Sequence, residues 1–207
     1  MEITEQHISQ IELEQMNSRY RGVFMNSLAG YRPVILVGSV STDGLSNLAI
    51  FNSLIHFGAD PALWGLVCRP NAEERDTVRN ISSNGRYTLN FIHLSERAKA
   101  HQTSAKYEAV VSEFEACGFE AEFKNGCATP FVKSALVKLE MEAVATIPIP
   151  LNGTSILIGK PVNIHLGSGM VGPDGFVDLT GAGVLGCQGL DAYLFGTVIE
   201  RLPYAKP

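Results

Sequence analysis

Small polar side chains gather in one stretch of the chain, residues 38–53, with the sequence GSVSTDGLSNLAIFNS. They interleave with apolar residues around Asp43-Gly44, a turn signal because glycine tolerates positive φ where the chain reverses. A hairpin that only supports a core needs few of them, whereas small side chains let a backbone approach a flat polar ligand closely. The stretch therefore predicts either a ligand-binding hairpin or an ordinary hairpin of a β-barrel.

A second group of candidate residues, Arg75-Asp76-Thr77, opens a predicted helix. The first N–H groups of a helix lack internal partners and carry partial positive charge, so they suit an anion. Arg75 adds a bidentate donor, Thr77 adds a hydroxyl, and Arg69 could reach the same anion. The alternative is that Asp76 or Thr77 caps the helix while Arg75 is solvated. Together with the hairpin, these residues suggest that a flavin ring and its phosphate bind on consecutive elements.

A glycine motif near the end of the chain, residues 181–186, matches GxGxxG letter for letter. In a dinucleotide-binding fold this motif must follow a strand and open a helix within a βαβ unit of roughly thirty residues. Residues 178–180 make a poor strand, and residues 187–189 would break a helix. The motif therefore predicts a Gly-rich loop and not a Rossmann site.

The apolar patterns predict a mainly β fold, an antiparallel barrel with a few peripheral helices and no βαβ alternation. An amphipathic helix is expected over residues 8–29, begun by a capping box of Ser9 and Glu12 and covering a face of the barrel or of a partner subunit. We divide the chain into an N-terminal helical extension, 1–30, and a barrel domain, 31–207. The expected strands are 34–40, 48–52, 63–68, 87–92, 135–146, 155–165 and 192–198, with a connection at 56–60. Shorter helices are expected at 75–84, 95–102 and 112–117.

Composition excludes several classes of function. The 207 residues carry a net charge of −5 and show no basic stripe, which argues against nucleic-acid binding. The polar N-terminus does not resemble a signal peptide, and no apolar run approaches about 18 residues, so we expect a cytoplasmic protein without a membrane span. The four cysteines lack zinc-ligand spacing and are expected to be free thiols, with no metal site. The isolated histidines are expected to be surface or packing residues.

The order and spacing of these motifs resemble the flavin reductase-like, FMN-binding split-barrel proteins over about residues 20–200. The matching segments are Arg32-Pro33-Val34 to Ser39, Asp43-Gly44, Asn47-Leu48-Ala49 with Ser53, Arg75-Asp76-Thr77 with Asn80-Ile81, Tyr87 to Asn90, and Ser112-Glu113-Phe114 with Cys117-Gly118. Two segments depart from the family pattern. Ile50-Phe51-Asn52 stands where the family usually shows Pro-Phe-Ser, and Gly186-Cys187-Gln188-Gly189 stands where relatives often carry an arginine.

The resemblance implies an antiparallel split β-barrel that forms a homodimer, with FMN near the subunit interface. The ring or ribityl chain would contact Ser39, Val40, Asn47, Leu48 and Ala49, and the phosphate would contact Ser53, Arg75 and Thr77, with Arg69 in reach. NAD(P)H would be the substrate that gives a hydride to the flavin. Because the cofactor carries this chemistry, we predict no catalytic side chain. A downstream monooxygenase or other electron acceptor would be the partner.

Three functions stay open at the level of the sequence. The first is an NAD(P)H:flavin oxidoreductase, which the hairpin and the phosphate residues favour. The second is an FMN-binding electron carrier or sensor that a partner protein reduces. The third is a split-barrel interaction module without cofactor, which would purify colourless and fail to take up FMN.

Overall fold

The computed structural model describes residues 4–71 and 75–206, within which the chain forms five α-helices and twelve β-strands. The helices are α1 Gln10–Gln15, α2 Ser18–Leu28, α3 Asp76–Asn84, α4 Arg97–Gln102 and α5 Glu113–Ala116, with a 3-10 turn at Leu94–Glu96. The strands are β1 Tyr31–Pro33, β2 Ile35–Val40, β3 Ser46–Phe51, β4 Leu54–Ala59, β5 Ala62–Cys68, β6 Arg86–Phe91, β7 Ala121–Glu122, β8 Phe131–Val132, β9 Val137–Ile149, β10 Thr154–Leu166, β11 Gly186–Gln188 and β12 Ala192–Leu194. Among the helices described, none is both long and apolar enough to cross a bilayer.

Seven strands form one antiparallel sheet in the order β3-β2-β6-β9-β10-β5-β4. Its two edge strands, β3 and β4, are separated in the chain only by Asn52 and Ser53. The sheet therefore curls without closing, and the opening lies between two strands that follow each other in sequence. This confirms the predicted mainly β, antiparallel split barrel. Strands β9 and β10 form a hairpin and pair on either side of Asn152-Gly153.

The sheet separates two apolar clusters because alternate side chains of a strand point to opposite faces. On β2, Ile35 and Val37 belong to the first cluster, which also contains Leu89. Leu36 belongs to the second, which contains Phe114 of α5. Burial of each such side chain contributes about 1.5–3 kcal/mol. The two clusters hold β2 from both faces and fix the position of the β2–β3 hairpin.

The helix predicted over residues 8–29 is in fact two helices, α1 and α2. Met16 has an extended backbone with ψ 139°, and the Asn17 side chain then accepts a hydrogen bond from the Arg19 N–H at 3.0 Å and caps α2. The capping box of Ser9 and Glu12 is confirmed. The two helices lie wholly within the described residues and contain no buried residue, so neither covers a face of this sheet. Asn17 is an N-cap signal that overrides the apolar spacing across it.

Two further differences concern strands. Residues 56–60, predicted as a connection, lie mostly in β4, which pairs with β5 through a register shift between His56 and Gly58. The last predicted strand is shorter, Ala192–Leu194, and it pairs with β11, a strand inside the Gly-rich segment that was predicted as a loop. Strand β11 also pairs with β1. Gly-rich segments have no apolar period, so only the pairing partners reveal such a strand.

Candidate functional site

Five buried polar residues meet where the β2–β3 hairpin contacts helices α3 and α5. We call them the polar cluster: Ser39, Asn47, Thr77, Asn80 and Glu113. Their exposed fractions range from 0% for Ser39 to 8% for Asn47 and Glu113. Buried polar groups require hydrogen-bond partners, because unpaired ones lose their bonds to water without replacement. The cluster therefore ties four elements together at one point.

Asn47 lies at the centre of the polar cluster, opposite Ser39 in the β2–β3 register. One end of its side-chain amide lies 3.2 Å from Ser39 Oγ and 3.0 Å from Thr77 Oγ1, and the other lies 3.3 Å from Glu113 Oε2. A carboxylate only accepts hydrogen bonds. The amide is therefore satisfied at both ends when its NH₂ group donates to Glu113 and its carbonyl oxygen accepts from the two hydroxyls. Asn80 Nδ2 completes the arrangement by donating to Ser39 Oγ at 3.2 Å.

Glu113, the first residue of α5, completes the polar cluster on the side of β3 that faces away from β2. Its Oε2 accepts a hydrogen bond from the Leu48 N–H at 3.1 Å. Burial raises the pKa of the Glu113 carboxyl, and the negative charge of Asp76 raises it further, although the Leu48 N–H acts in the opposite direction. The resemblance to the family includes Glu113 in the segment Ser112-Glu113-Phe114 but implies no contact with the ligand for it. An acidic residue in the first turn of a helix was the one local signal for it.

Helix α3 begins with no side-chain cap among the described residues. Arg75 stands at the N-cap position and is exposed. Asp76 pairs with Arg79 one turn further along the helix, and Thr77 turns inward to Asn47. Neither Asp76 nor Thr77 therefore caps the helix, which was the alternative to an anion site. The N-terminal N–H groups of α3 carry partial positive charge next to an exposed guanidinium.

The other predicted site residues lie along β2, β3 and β5. Val40 and Ala49 are half-buried, whereas Leu48 is fully buried opposite Gly38. The Ser53 hydroxyl donates to the Val67 carbonyl oxygen at 2.9 Å. Arg69 is exposed directly after β5. The structure thus joins Ser39, Asn47 and Thr77 in one buried group and leaves the two arginines at the surface.

Strand β3 presents backbone groups at the open edge of the sheet. The Leu48 N–H points away from β2, since it donates to Glu113. Because N–H groups of alternate strand residues point the same way, the Ile50 N–H faces this edge as well. A flat ligand placed at the opening of the barrel could bond to the Ile50 N–H, whereas the Leu48 N–H is already bonded to Glu113.

The two segments that depart from the family pattern lie against each other. Asn52 Nδ2 donates to the Gly189 carbonyl oxygen at 2.8 Å and lies 3.4 Å from Cys187 Sγ. The same carbonyl accepts a second hydrogen bond, at 3.1 Å, from Arg32 Nη2. All four cysteines, Cys187 included, are buried and free, as predicted. Asn52 and Gly189 are 137 residues apart, so the sequence alone does not show that these two segments are in contact.

Comparison with known proteins places this geometry in a family. A family model described as a flavin reductase like domain matches residues 29–180. A solved structure from Shewanella frigidimarina NCIMB 400, assigned as a flavin reductase with split barrel domain, is 38% identical. It covers 97% of this chain and 100% of its own, with a TM-score of 0.93.

Two more distant structures share the fold. Nitrilotriacetate monooxygenase component B from Bacillus cereus is 21% identical with a TM-score of 0.84, over 97% of this chain and 100% of its own. An FMN-binding protein from Thermus thermophilus is 17% identical with a TM-score of 0.71, over 86% of this chain and 93% of its own. Family model, identity and topology agree with the motif order in the sequence, and the chain belongs to the flavin reductase-like family of split-barrel proteins.

Proposed function

We propose that the protein binds FMN and catalyses hydride transfer from NAD(P)H to it. The observation that carries the proposal is the N-terminus of α3, where no described side chain caps the helix and which the 3.0 Å contact between Asn47 and Thr77 holds beside the open edge of β3. The N-terminus of α3 offers a site for a phosphate, and the open edge of β3 offers a site for a flat ring. Membership of the flavin reductase-like family supports the same ligand.

The phosphate would bind at the start of α3. The N–H groups of the first helical turn would donate to it, and the exposed Arg75 would add charge-assisted hydrogen bonds. Arg69, exposed after β5, would complete this end, and Ser53, at the opening between β3 and β4, would join it by turning its hydroxyl away from the Val67 carbonyl oxygen. Thr77 is buried, so its side chain would hold the helix in place while its backbone faces the ligand. These residues fit a dianionic phosphate because they supply positive charge, and no side chain of the described residues caps this end of α3.

The flavin ring would lie at the open edge of β3, near Val40 and Ala49, with Ser39 and Asn47 behind it. The Leu48 side chain is buried and its N–H is bonded to Glu113, so this residue would contribute through its carbonyl group. Bound FMN supplies the hydride acceptor, and backbone N–H groups at this edge would stabilise negative charge on the ring. The chain would therefore orient the ring and the nicotinamide without a catalytic side chain.

A homodimer is part of the proposal. Large apolar side chains are exposed on α1 and α2 and along the C-terminal residues 195–206, including Tyr20 at 62%, Leu28 at 64% and Ile199 at 97%. Exposed apolar surface on this scale marks an interaction site. We propose that a second copy of the chain covers it, in a cytoplasmic protein that passes electrons to a monooxygenase or another acceptor. The name of the Bacillus cereus relative, a monooxygenase component, supports such a partner. Light scattering at increasing protein concentration tests the dimer.

The experiment for the cofactor is a titration of the purified protein with FMN. We expect quenching of flavin fluorescence that saturates at one FMN per chain, together with a shifted visible spectrum. Riboflavin, which lacks the phosphate, should bind more weakly. A protein that leaves the fluorescence of FMN unchanged would contradict the proposal and favour an interaction module without cofactor.

A further inference from the structure

We propose that Glu113 is a positioning residue of the FMN site: its carboxylate orients the Asn47 amide, which in turn holds Thr77 and the first turn of α3 against β3. This inference rests on the proposed function, because the turn that it positions is the one to which the phosphate would bind. Glu113 itself would not touch the ligand.

The contacts of Glu113 account for this role. Glu113 is 8% exposed, and its Oε2 lies 3.1 Å from the Leu48 nitrogen and 3.3 Å from the Asn47 amide. Burying a carboxylate is costly, and apolar residues of similar volume often stabilise a core as well or better. Packing of α5 on β3 therefore does not require an acid at this position. A fixed hydrogen-bond acceptor does require one, because the carboxylate cannot donate.

The carboxylate sets the direction of every hydrogen bond that follows from it. With the Asn47 NH₂ group donating to Glu113, the Asn47 carbonyl oxygen must accept from the Thr77 and Ser39 hydroxyls. The Thr77 side chain then stays inward, and the backbone N–H groups of its turn remain at the helix N-terminus. Without the carboxylate the amide can turn over and present its NH₂ group to the same hydroxyls. The link between β3 and α3 then loses its single arrangement, and the first turn of α3 is no longer fixed relative to the ring site.

The test compares Glu113→Ala with Glu115→Ala, a carboxylate of the same helix that is exposed. Affinities for FMN and for riboflavin are measured by fluorescence quenching. We expect Glu113→Ala to weaken FMN binding about tenfold, as expected when a buried donor loses its partner, and riboflavin binding much less. The ratio of the two affinities should therefore fall, whereas Glu115→Ala should leave it unchanged. Glu113→Gln still offers an acceptor to the Leu48 N–H but adds an NH₂ group that can donate, so it should recover only part of the ratio.

Thr77→Val provides the second variant, since it breaks the far end of the same link at nearly constant size. It should lower the ratio as Glu113→Ala does, and the double variant should lower it no further. An unchanged ratio in Thr77→Val, or equal losses for FMN and riboflavin in Glu113→Ala, would overturn the proposal.

Hydrogen exchange without ligand separates this inference from the proposed function. Glu113→Ala should speed exchange of the Arg79 amide, which donates to the Arg75 carbonyl oxygen across the first turn of α3, about tenfold, and Glu115→Ala should not. If Glu113→Ala exchanges faster but the wild-type protein binds no FMN, the link stands and the proposed function is overturned. Unchanged exchange would overturn the link itself.

Discussion

The side-chain amide of Asn52 donates a hydrogen bond to the carbonyl oxygen of Gly189 at 2.8 Å, across 137 residues of sequence. Asn52 follows directly after β3, and Gly189 follows directly after β11. Arg32, which donates to the same carbonyl, also donates to the Asn26 carbonyl oxygen in α2 at 3.1 Å. The Gly189 carbonyl group thus links three parts of the structure: the end of the proposed ring site, the Gly-rich segment and, through Arg32, helix α2.

Replacing Asn52 with Ala should loosen this junction. The Gly189 carbonyl would keep Arg32 as a donor, so the expected loss is about 1 kcal/mol in the free energy of unfolding. Urea unfolding measures this loss, and limited proteolysis should show faster cleavage within residues 181–191. Gln10→Ala is the control, since its hydrogen bond to Glu14 is exposed and should be worth only a few tenths of a kcal/mol. Equal stability of the Asn52 and Gln10 variants would contradict the role of Asn52.

The phosphate assignment predicts a selective loss of FMN affinity. Removing Arg75 and the Thr77 hydroxyl together, as Arg75→Ala with Thr77→Ala, should weaken FMN binding roughly 10- to 100-fold, the scale of a charge-assisted hydrogen bond. Riboflavin affinity should change little, because riboflavin has no phosphate. Arg97→Ala removes an exposed arginine at the start of α4 and serves as the control. If FMN affinity in the double variant equals that of wild type, the phosphate does not bind at α3.

Gly38 in β2 should not tolerate a side chain. A Cβ atom there would lie 2.4 Å from both the Pro130 carbonyl oxygen and Thr88 Oγ1, so Gly38→Ala should cost about 1–3 kcal/mol in the free energy of unfolding. Gly22 in α2 has no atom within 4 Å of a Cβ, and Gly22→Ala should stabilise the helix by up to about 1 kcal/mol. Chemical denaturation measures the free energy of unfolding of both variants. A Gly38→Ala protein as stable as Gly22→Ala would show that β2 has room at this position.

Burial of Glu113 predicts a specific pH dependence of stability. Since its pKa is raised in the folded protein, the folded state binds more protons than the unfolded state between the ordinary pKa and the raised one. Stability contributed by this group is present below the ordinary pKa of a glutamic acid and falls as pH rises through the raised one. The surrounding titratable groups are Asp76, Tyr107 and Cys117. Glu113→Gln removes this titrating group. The free energy of unfolding of the variant should therefore increase relative to that of wild type as pH rises from acid to neutral.

Thermal or urea unfolding across this pH range gives the comparison. Glu115→Gln is the matched control, because the side chain is exposed on the same helix. A difference between Glu113→Gln and wild type that stays constant, or that shrinks toward neutral pH, would show that burial does not dominate the environment of Glu113.

The sequence predicted those parts of the molecule that local chemistry determines. Asp43-Gly44 located the hairpin turn, and Ser9 with Glu12 located the start of α1, because turns and caps depend on residues next to each other. Arg75-Asp76-Thr77 located the start of α3. The break at Asn17 was missed because the apolar spacing of residues 8–29 runs through it. A helical period says nothing about where the backbone leaves the helix.

The partners of the site residues could not be predicted, because they depend on the packing of distant elements. Thr77 was expected to face a ligand, yet its side chain is buried against Asn47, 30 residues earlier. Glu113 reaches Leu48 across 65 residues. Strand β11 forms in a Gly-rich segment only because β1 and β12 supply hydrogen bonds on its two sides. None of these relationships has a signature within one stretch of sequence.

Hydride transfer is tested most directly by anaerobic mixing of the FMN-loaded protein with NADH and, separately, with NADPH. At least one nicotinamide should bleach the visible absorbance of the bound flavin much faster than it bleaches free FMN at the same concentration. Bleaching no faster than free FMN with either nicotinamide would contradict hydride transfer by this protein. It would leave an FMN carrier that a partner protein reduces.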